Sequence, residues 1–138
     1  MSREILFRGK HIHAMDSNEH LNGTWVHGYL SDKNYIYDKS LEGEFLVDED
    51  TICQYTGLTD KNGKKIFEGD VVKDSAGVCG EVKFGLYAAG FSIQDTNQGF
   101  YIEFPEKSLY REELGYWRNK IVVVGNVFDN PELLEEVE

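Results

Sequence analysis

The chain has 138 residues, 28% of them charged and 41% hydrophobic, a balance that suits a globular domain and excludes a disordered one. Fourteen basic against twenty-five acidic residues give a net charge of −11, a field that repels phosphate backbones and disfavours nucleic acid as a partner. A single domain over 1–138 is expected, because a chain of about 150 residues buries roughly 68–70% of its unfolded surface with no metal or disulfide.

EILFRG (4–9) is the first strand expected. The N-terminal MSREILFRGKHIH lacks the apolar core of a secretion signal, and no run approaches the roughly 18 apolar residues of a membrane span. A cytoplasmic protein without a membrane partner is therefore expected. HIHAMDSNEHL (11–21) reads as a solvated loop. It carries His11, His13 and His20, and His27 follows on the next strand, with Asp16 and Glu19 nearby. These four histidines are the nearest approach to a metal or catalytic constellation, and zinc needs three or four converging ligands. The expectation is a surface loop, with no metal and no cofactor.

TWVHGYL (24–30) and NYIYD (34–38) read as a hairpin around SDKN. With an even loop, Leu30 faces Tyr35 and Tyr29 faces Ile36. Strand alternation then puts Trp25, His27 and Tyr29 on one side, and Val26, Leu30, Tyr35 and Tyr37 on the other. Both sides carry large apolar groups, so the ribbon is either sandwiched in the core or keeps one side for a partner. Trp25, His27, Tyr29, Tyr35 and Tyr37 are the candidate binding residues, and a homo-oligomer or a protein partner is expected. Nucleobases stacked on Trp25, His27 and Tyr29 are the alternative.

EFLV (44–47) and TICQY (51–55) flank the acidic turn Asp48-Glu49-Asp50. Cys53 and Cys79 lie in strand-like segments with no pairing motif, and read as free thiols that serve as small apolar groups. No nucleophile–base signature accompanies them, so a non-enzymatic role is expected.

QYTGLTDKNGKKIFEGDVV (54–72) imitates a calcium loop and a phosphate loop without being either. With Gly63 at the sixth position of an EF-hand loop, the first and last ligand positions fall on Leu58 and Gly69, which carry no oxygen ligand. The GxxxxGK[ST] spacing is absent as well. A hairpin satisfies its own requirements. Asn62-Gly63 suits a two-residue type I′ turn, pairing Lys61 with Lys64, Asp60 with Lys65, Thr59 with Ile66 and Leu58 with Phe67. Asp70 is expected to accept hydrogen bonds from nearby backbone amides.

VVK (71–73) and GEVKFG (80–85) straddle a turn at Ser75-Ala76-Gly77, and GFSIQD (90–95) and GFYIEF (99–104) flank Thr96-Asn97-Gln98. In KSLYREELGYW (107–117) a short helix is expected to start at Ser108 and stop at Gly115. IVVVGNVF (121–128) is the most apolar run and the expected interior strand, with a bulge at Gly125. In DNPELLEEVE, Asn130 suits an N-cap and Pro131 the first position of a short C-terminal helix. Many short strands separated by turn signals argue for a mainly β fold, a small bent barrel with additional hairpins.

At 54–72 the sequence closely resembles the central signature of the YopX family of phage and prophage proteins. FRGK (7–10) with GTWVHGYL (23–30) resembles the family's opening, and VVGNVFDNPELLE (123–135) its closing segment. The resemblance implies a compact, mainly β fold related to SH3-type barrels, of phage or prophage origin, so the protein partner expected from the aromatic ribbon is a phage or host protein. It supplies no catalytic residue. Two further readings compete with a protein-interaction or regulatory module: a single-stranded nucleic-acid binder and a metal-dependent hydrolase.

Overall fold

A computed structural model of the chain describes residues 5–12, 23–88, 96–105 and 112–134. It is mainly β, and the described residues form ten strands in two antiparallel sheets. The chain divides into two compact units, Met1–Tyr55 and Thr56–Glu138.

The first unit contains β1 (Phe7–Lys10), β2 (Trp25–Asp32), β3 (Tyr35–Asp38) and β4 (Gly43–Leu46). The strand order is β4-β3-β2-β1-β5, and β5 (Cys53–Thr59) starts here and continues into the second unit. Period-2 alternation turns Val26, Ile36, Phe45 and Val47 to one side, where Phe7 and Ile52 pack against them. The strand expected at 51–55 begins at Cys53. Glu49–Thr51 instead form one 3-10 turn, because the Asp48 carboxylate accepts the Asp50 amide at 3.1 Å and holds the chain in a bend.

In the second unit β6 (Lys65–Phe67) lies beside β5. The other sheet runs β10-β7-β8-β9, from β7 (Asp70–Asp74), β8 (Cys79–Ala88), β9 (Thr96–Glu103) and β10 (Ile121–Asn126). Its core is Ile66, Val72, Val82, Ile102, Leu114 and Ile121, with Leu58, Phe100, Phe104, Trp117 and Val123 packed around them. Asp70 is buried and accepts the Phe67 amide at 2.8 Å, as the turn chemistry requires.

Several expectations are corrected here. The Asn62-Gly63 turn has three residues in its loop, not two: the Asp60 N–H donates to the Lys64 carbonyl at 2.8 Å. Gly63 has φ +83° while Asn62 is not left-handed, the pattern of a type I turn closed by a glycine. The cause is Asp60, whose carboxylate accepts the Asn62 and Lys64 amides at 2.9 Å each; it does not pair with Lys65. Thr96-Asn97-Gln98 are not a turn. They extend β9, which pairs with β8 from Ala88↔Thr96 to Glu81↔Glu103, and the strand expected at 90–95 lies outside the described residues. Gly115 does not stop a helix; it sits inside the one-turn α1 (Leu114–Trp117), and Ser108 is outside the described residues.

β10 is an edge strand, not an interior one. Its register shifts between Val123 and Gly125, as a bulge there requires. An apolar strand is tolerated at this edge because the Asp60 turn covers it. The Ile121 carbonyl accepts the Lys61 amide at 3.2 Å, and the Val123 amide donates to Asp60 Oδ2 at 2.9 Å. The expected barrel does not close. β4 and β6 end one sheet and β10 and β9 end the other, and counting short strands could not distinguish closure from two open sheets. At the C-terminal end Pro131 opens a 3-10 turn, Pro131–Leu134. The Asn130 side-chain oxygen accepts the Asn126 amide at 3.2 Å and so closes the preceding turn.

Candidate interaction surface

The β2–β3 hairpin has a two-residue tip, Lys33-Asn34, with Asp32 opposite Tyr35, where the sequence reading puts the four residues SDKN between Leu30 and Tyr35. One step further in, the register shifts at Ser31, so that Leu30 faces Ile36 and Tyr29 faces Tyr37. The expected pairs Leu30–Tyr35 and Tyr29–Ile36 are therefore wrong by one residue. The consequence is large because a one-residue slip exchanges the two faces of a strand. Ile36 joins Val26 in the core, and Tyr35 and Tyr37 move to the side of Trp25, His27 and Tyr29.

All five candidate residues thus share the side of the sheet opposite the core. Tyr29 is 55% exposed and Tyr35 and His27 are exposed, while Trp25 and Tyr37 are half-buried. Tyr29 and Tyr37 stack with ring centroids 5.4 Å apart and planes 24° from parallel. The neighbouring strand adds two cations that the sequence does not connect to these aromatics. β1 pairs Arg8 with His27 and Lys10 with Trp25, which puts both basic side chains on the same side. The Arg8 guanidinium lies 4.7 Å from the Trp25 ring centroid and the Lys10 ammonium 5.5 Å, both within cation–π range. The alternating FRGK stretch was the available signal; what it lacked was the knowledge that β1 lies beside β2.

The hairpin's inner end is pinned by Asp38, a buried carboxylate. Its Oδ2 accepts the His27 amide at 2.9 Å, and its Oδ1 accepts the Ser40 amide at 2.9 Å and the Ser40 hydroxyl at 2.6 Å. Burial alone would raise this carboxyl. The hydrogen bonds from Ser40, His27 and Leu41 outweigh it and hold Asp38 below the ordinary carboxylate range. A charged acid under β2 and β3 therefore fixes the spacing of the aromatic side.

Of the four histidines the two described, His11 and His27, do not converge. His11 is buried on the core side, with Nδ1 2.8 Å from the Leu46 carbonyl and its ring edge-on to Phe45 at 5.2 Å. His27 is on the opposite side of the sheet, and His13 and His20 lie outside the described residues. Among the described residues no group of three or more His, Cys, Asp or Glu side chains is placed to hold a metal ion. Cys53 is buried and Cys79 half-buried, and neither forms a disulfide. Among the described residues no helix is long and apolar enough to cross a membrane.

The chain is similar over 97% of its length to the whole chain of protein EF1440 from Enterococcus faecalis, known from a crystal structure, with 24% identity and a TM-score of 0.47. No curated protein matches the chain. The family described as YopX protein matches residues 7–135, spanning nearly all of the sequence. The chain belongs to the YopX family.

Proposed function

We propose that this protein is a non-enzymatic interaction module, encoded by a phage or prophage and working in the host cytoplasm. It binds a phage or host protein through the aromatic side of β1, β2 and β3. The observation that carries this reading is the gathering of Trp25, His27, Tyr29, Tyr35 and Tyr37 on one side of a sheet whose other side is core. Aromatic side chains that keep much of their surface in water, next to arginine, have the composition of protein-interface centres. The kinship with SH3-type folds belongs to the same reading, since such folds hold their ligands against exposed aromatic side chains. The test is affinity capture from phage-carrying cells with the wild type and with a Tyr29→Ala, Tyr35→Ala double variant, whose exposed positions leave the core intact. A protein retained by the wild type and lost by the variant supports the proposal. Equal retention by both removes the aromatic side from it.

A second reading has its own observation: Arg8 and Lys10 bring positive charge to Trp25 in an otherwise acidic chain. Cations beside a stacking ring are how single-stranded nucleic acid is held. Titration with a labelled single strand at low and moderate salt decides it, because such binding weakens steeply with salt. No binding at low salt eliminates it. A metal-dependent hydrolase would need His11 or His27 with ligands from outside the described residues. Elemental analysis of protein purified without chelator is its test, and absence of zinc, manganese and iron ends that reading.

A further inference from the structure

β8 and β9 outrun the sheet they belong to. They pair over eight residues, from Glu81↔Glu103 to Ala88↔Thr96, whereas β7 lies beside β8 only from Cys79 to Glu81. Beyond Val82 no further strand flanks the two among the described residues, and they form a two-stranded arm, with the Pro131–Leu134 turn lying near β8. The side of the arm that begins in the core at Val82 and Ile102 continues outward with Phe84, Phe100 and Leu86. Phe84 is 52% exposed and Leu86 73%, and Phe84 meets Phe100 edge-on at 5.0 Å. The Val82 carbonyl points away from β9 and accepts the Gly69 amide at 2.8 Å. By the alternation of an antiparallel ladder, the amides and carbonyls of Phe84 and Leu86 point the same way, toward an edge with no strand beside it among the described residues.

We infer that this edge pairs with the same edge of a second copy of the chain, antiparallel about a two-fold axis at Gly85. Three observations select a second copy. Outward-pointing groups of Phe84 and Leu86 match each other: Phe84 pairs with the partner's Leu86, and Leu86 with the partner's Phe84. A two-fold axis perpendicular to the sheet keeps all four side chains on one side, where they cover each other's apolar surface. The sequences 84–88 and 96–102 contain no charged residue, although the chain carries −11. Copies that repel one another elsewhere meet here without bringing carboxylates together, and the arm's lysine, Lys83, lies on the other face of the strand from Phe84 and Leu86 and is held by Glu103 at 3.0 Å. A short edge of this kind falls below the roughly 1,000 Å² of a permanent interface, so the dimer is concentration-dependent.

This inference is independent of the aromatic side of the first unit, and the arm variants leave that side untouched. Analytical ultracentrifugation over a wide concentration range is expected to show wild-type mass rising toward twice the monomer. Leu86→Lys, at a largely exposed position, is expected to remain monomeric with an unchanged circular dichroism spectrum. Gly85→Cys is the positional test. Its Cβ meets only Tyr101 Cε1 at 3.7 Å, and in the paired edge the two Cα atoms face each other at about 4.5 Å, within disulfide reach. Under oxidised glutathione Gly85→Cys is expected to form a covalent dimer, and Gly99→Cys, on the other strand of the arm, is not. A wild type that is monomeric at every concentration overturns the inference and leaves the edge to a different strand. A dimer that survives Leu86→Lys, or one that cross-links through Gly99→Cys and not Gly85→Cys, overturns it equally.

Discussion

Asp60 and Asp74 open two turns of the same build within the second unit. In each, the aspartate amide donates to the carbonyl four residues on, Lys64 at 2.8 Å and Val78 at 3.0 Å. The amides of Gly63 and Gly77 donate back to the aspartate carbonyl at 3.0 Å in both. One carboxylate oxygen accepts two more amides, from Asn62 and Lys64 in the first turn and from Ala76 and Val78 in the second, all at 2.9 Å. The turns part at the other carboxylate oxygen. Asp60 Oδ2 takes the Val123 amide of β10 at 2.9 Å, and Asp60 is only 5% exposed, whereas the Asp74 turn stays at the surface. Local chemistry therefore makes the shape of the turn, and one long-range amide decides whether that shape ties the unit together. Asp38 repeats the device in the first unit, joining its own turn to the His27 amide.

The most direct way to break this comparison is truncation of each acid. Asp60→Ala strands the amides of Asn62, Lys64 and Val123, with Val123 in the covered edge, and is expected to cost about 3 kcal/mol. Asp74→Ala strands two amides that water can reach, and about 1 kcal/mol is expected. Urea denaturation of both variants measures the difference. Equal losses would mean that the Val123 bond contributes nothing and that the two turns are energetically the same.

Replacement by asparagine sharpens it. Asp60→Asn keeps one acceptor for Asn62 and Lys64 but faces the Val123 amide with an NH₂ group, a donor against a donor. A loss of about 2 kcal/mol is expected, against less than about 0.5 kcal/mol for Asp74→Asn. The charge has a pH signature. Burial alone would raise Asp60; the Val123, Lys64 and Asn62 amides and the Lys64 charge overcome it and hold the carboxyl below its ordinary range. A carboxyl depressed on folding contributes stability that is complete above its unfolded pKa, about 4, and is lost as pH falls through the folded value. Thermal melts at falling pH should show a shallower acid limb in Asp60→Asn than in the wild type, with the remaining slope including the share of Asp38. Parallel curves would deny Asp60 its part in acid unfolding.

Much of this was legible in the sequence as far as local chemistry reaches. The residues alone place turns at 62–63 and 75–77, make Asp70 an acceptor, and by alternation put Trp25, His27 and Tyr29 on a common side. The losses have two physical sources. One is the single extra residue: the shift at Ser31 puts Tyr35 and Tyr37 on the side of Trp25, and the extra loop residue at Lys61 replaces an Asp60–Lys65 pair with a capped turn. Strand periodicity carries no information about such insertions, yet each one inverts a face. The other is distance. Val123 lies 63 residues from Asp60, so nothing near DKNGK announces that its aspartate covers the edge of β10. For the same reason the apolar run 121–128 reads as an interior strand, and nothing in FRGK connects Arg8 and Lys10 with Trp25.

The smallest expected effect tests whether the two turns share a backbone requirement once their acids are left alone. Gly63 and Gly77 have φ of +83° and +87°, where a Cβ is strained whatever room surrounds it. A Cβ built at Gly63 meets nothing within 4 Å, and one at Gly77 meets only Lys73 Cε at 3.8 Å, so packing adds little at either site. Gly63→Ala and Gly77→Ala are each expected to cost about 1 kcal/mol, and asparagine less than alanine at both, because its side chain tolerates the left-handed region. Matching costs here, beside unequal costs at Asp60 and Asp74, would assign the difference between the turns to the aspartate's third amide. A Gly63→Ala loss well above that of Gly77→Ala would instead place it in strain that the buried turn cannot relieve, and the Asp60 bond would then be a consequence of that burial.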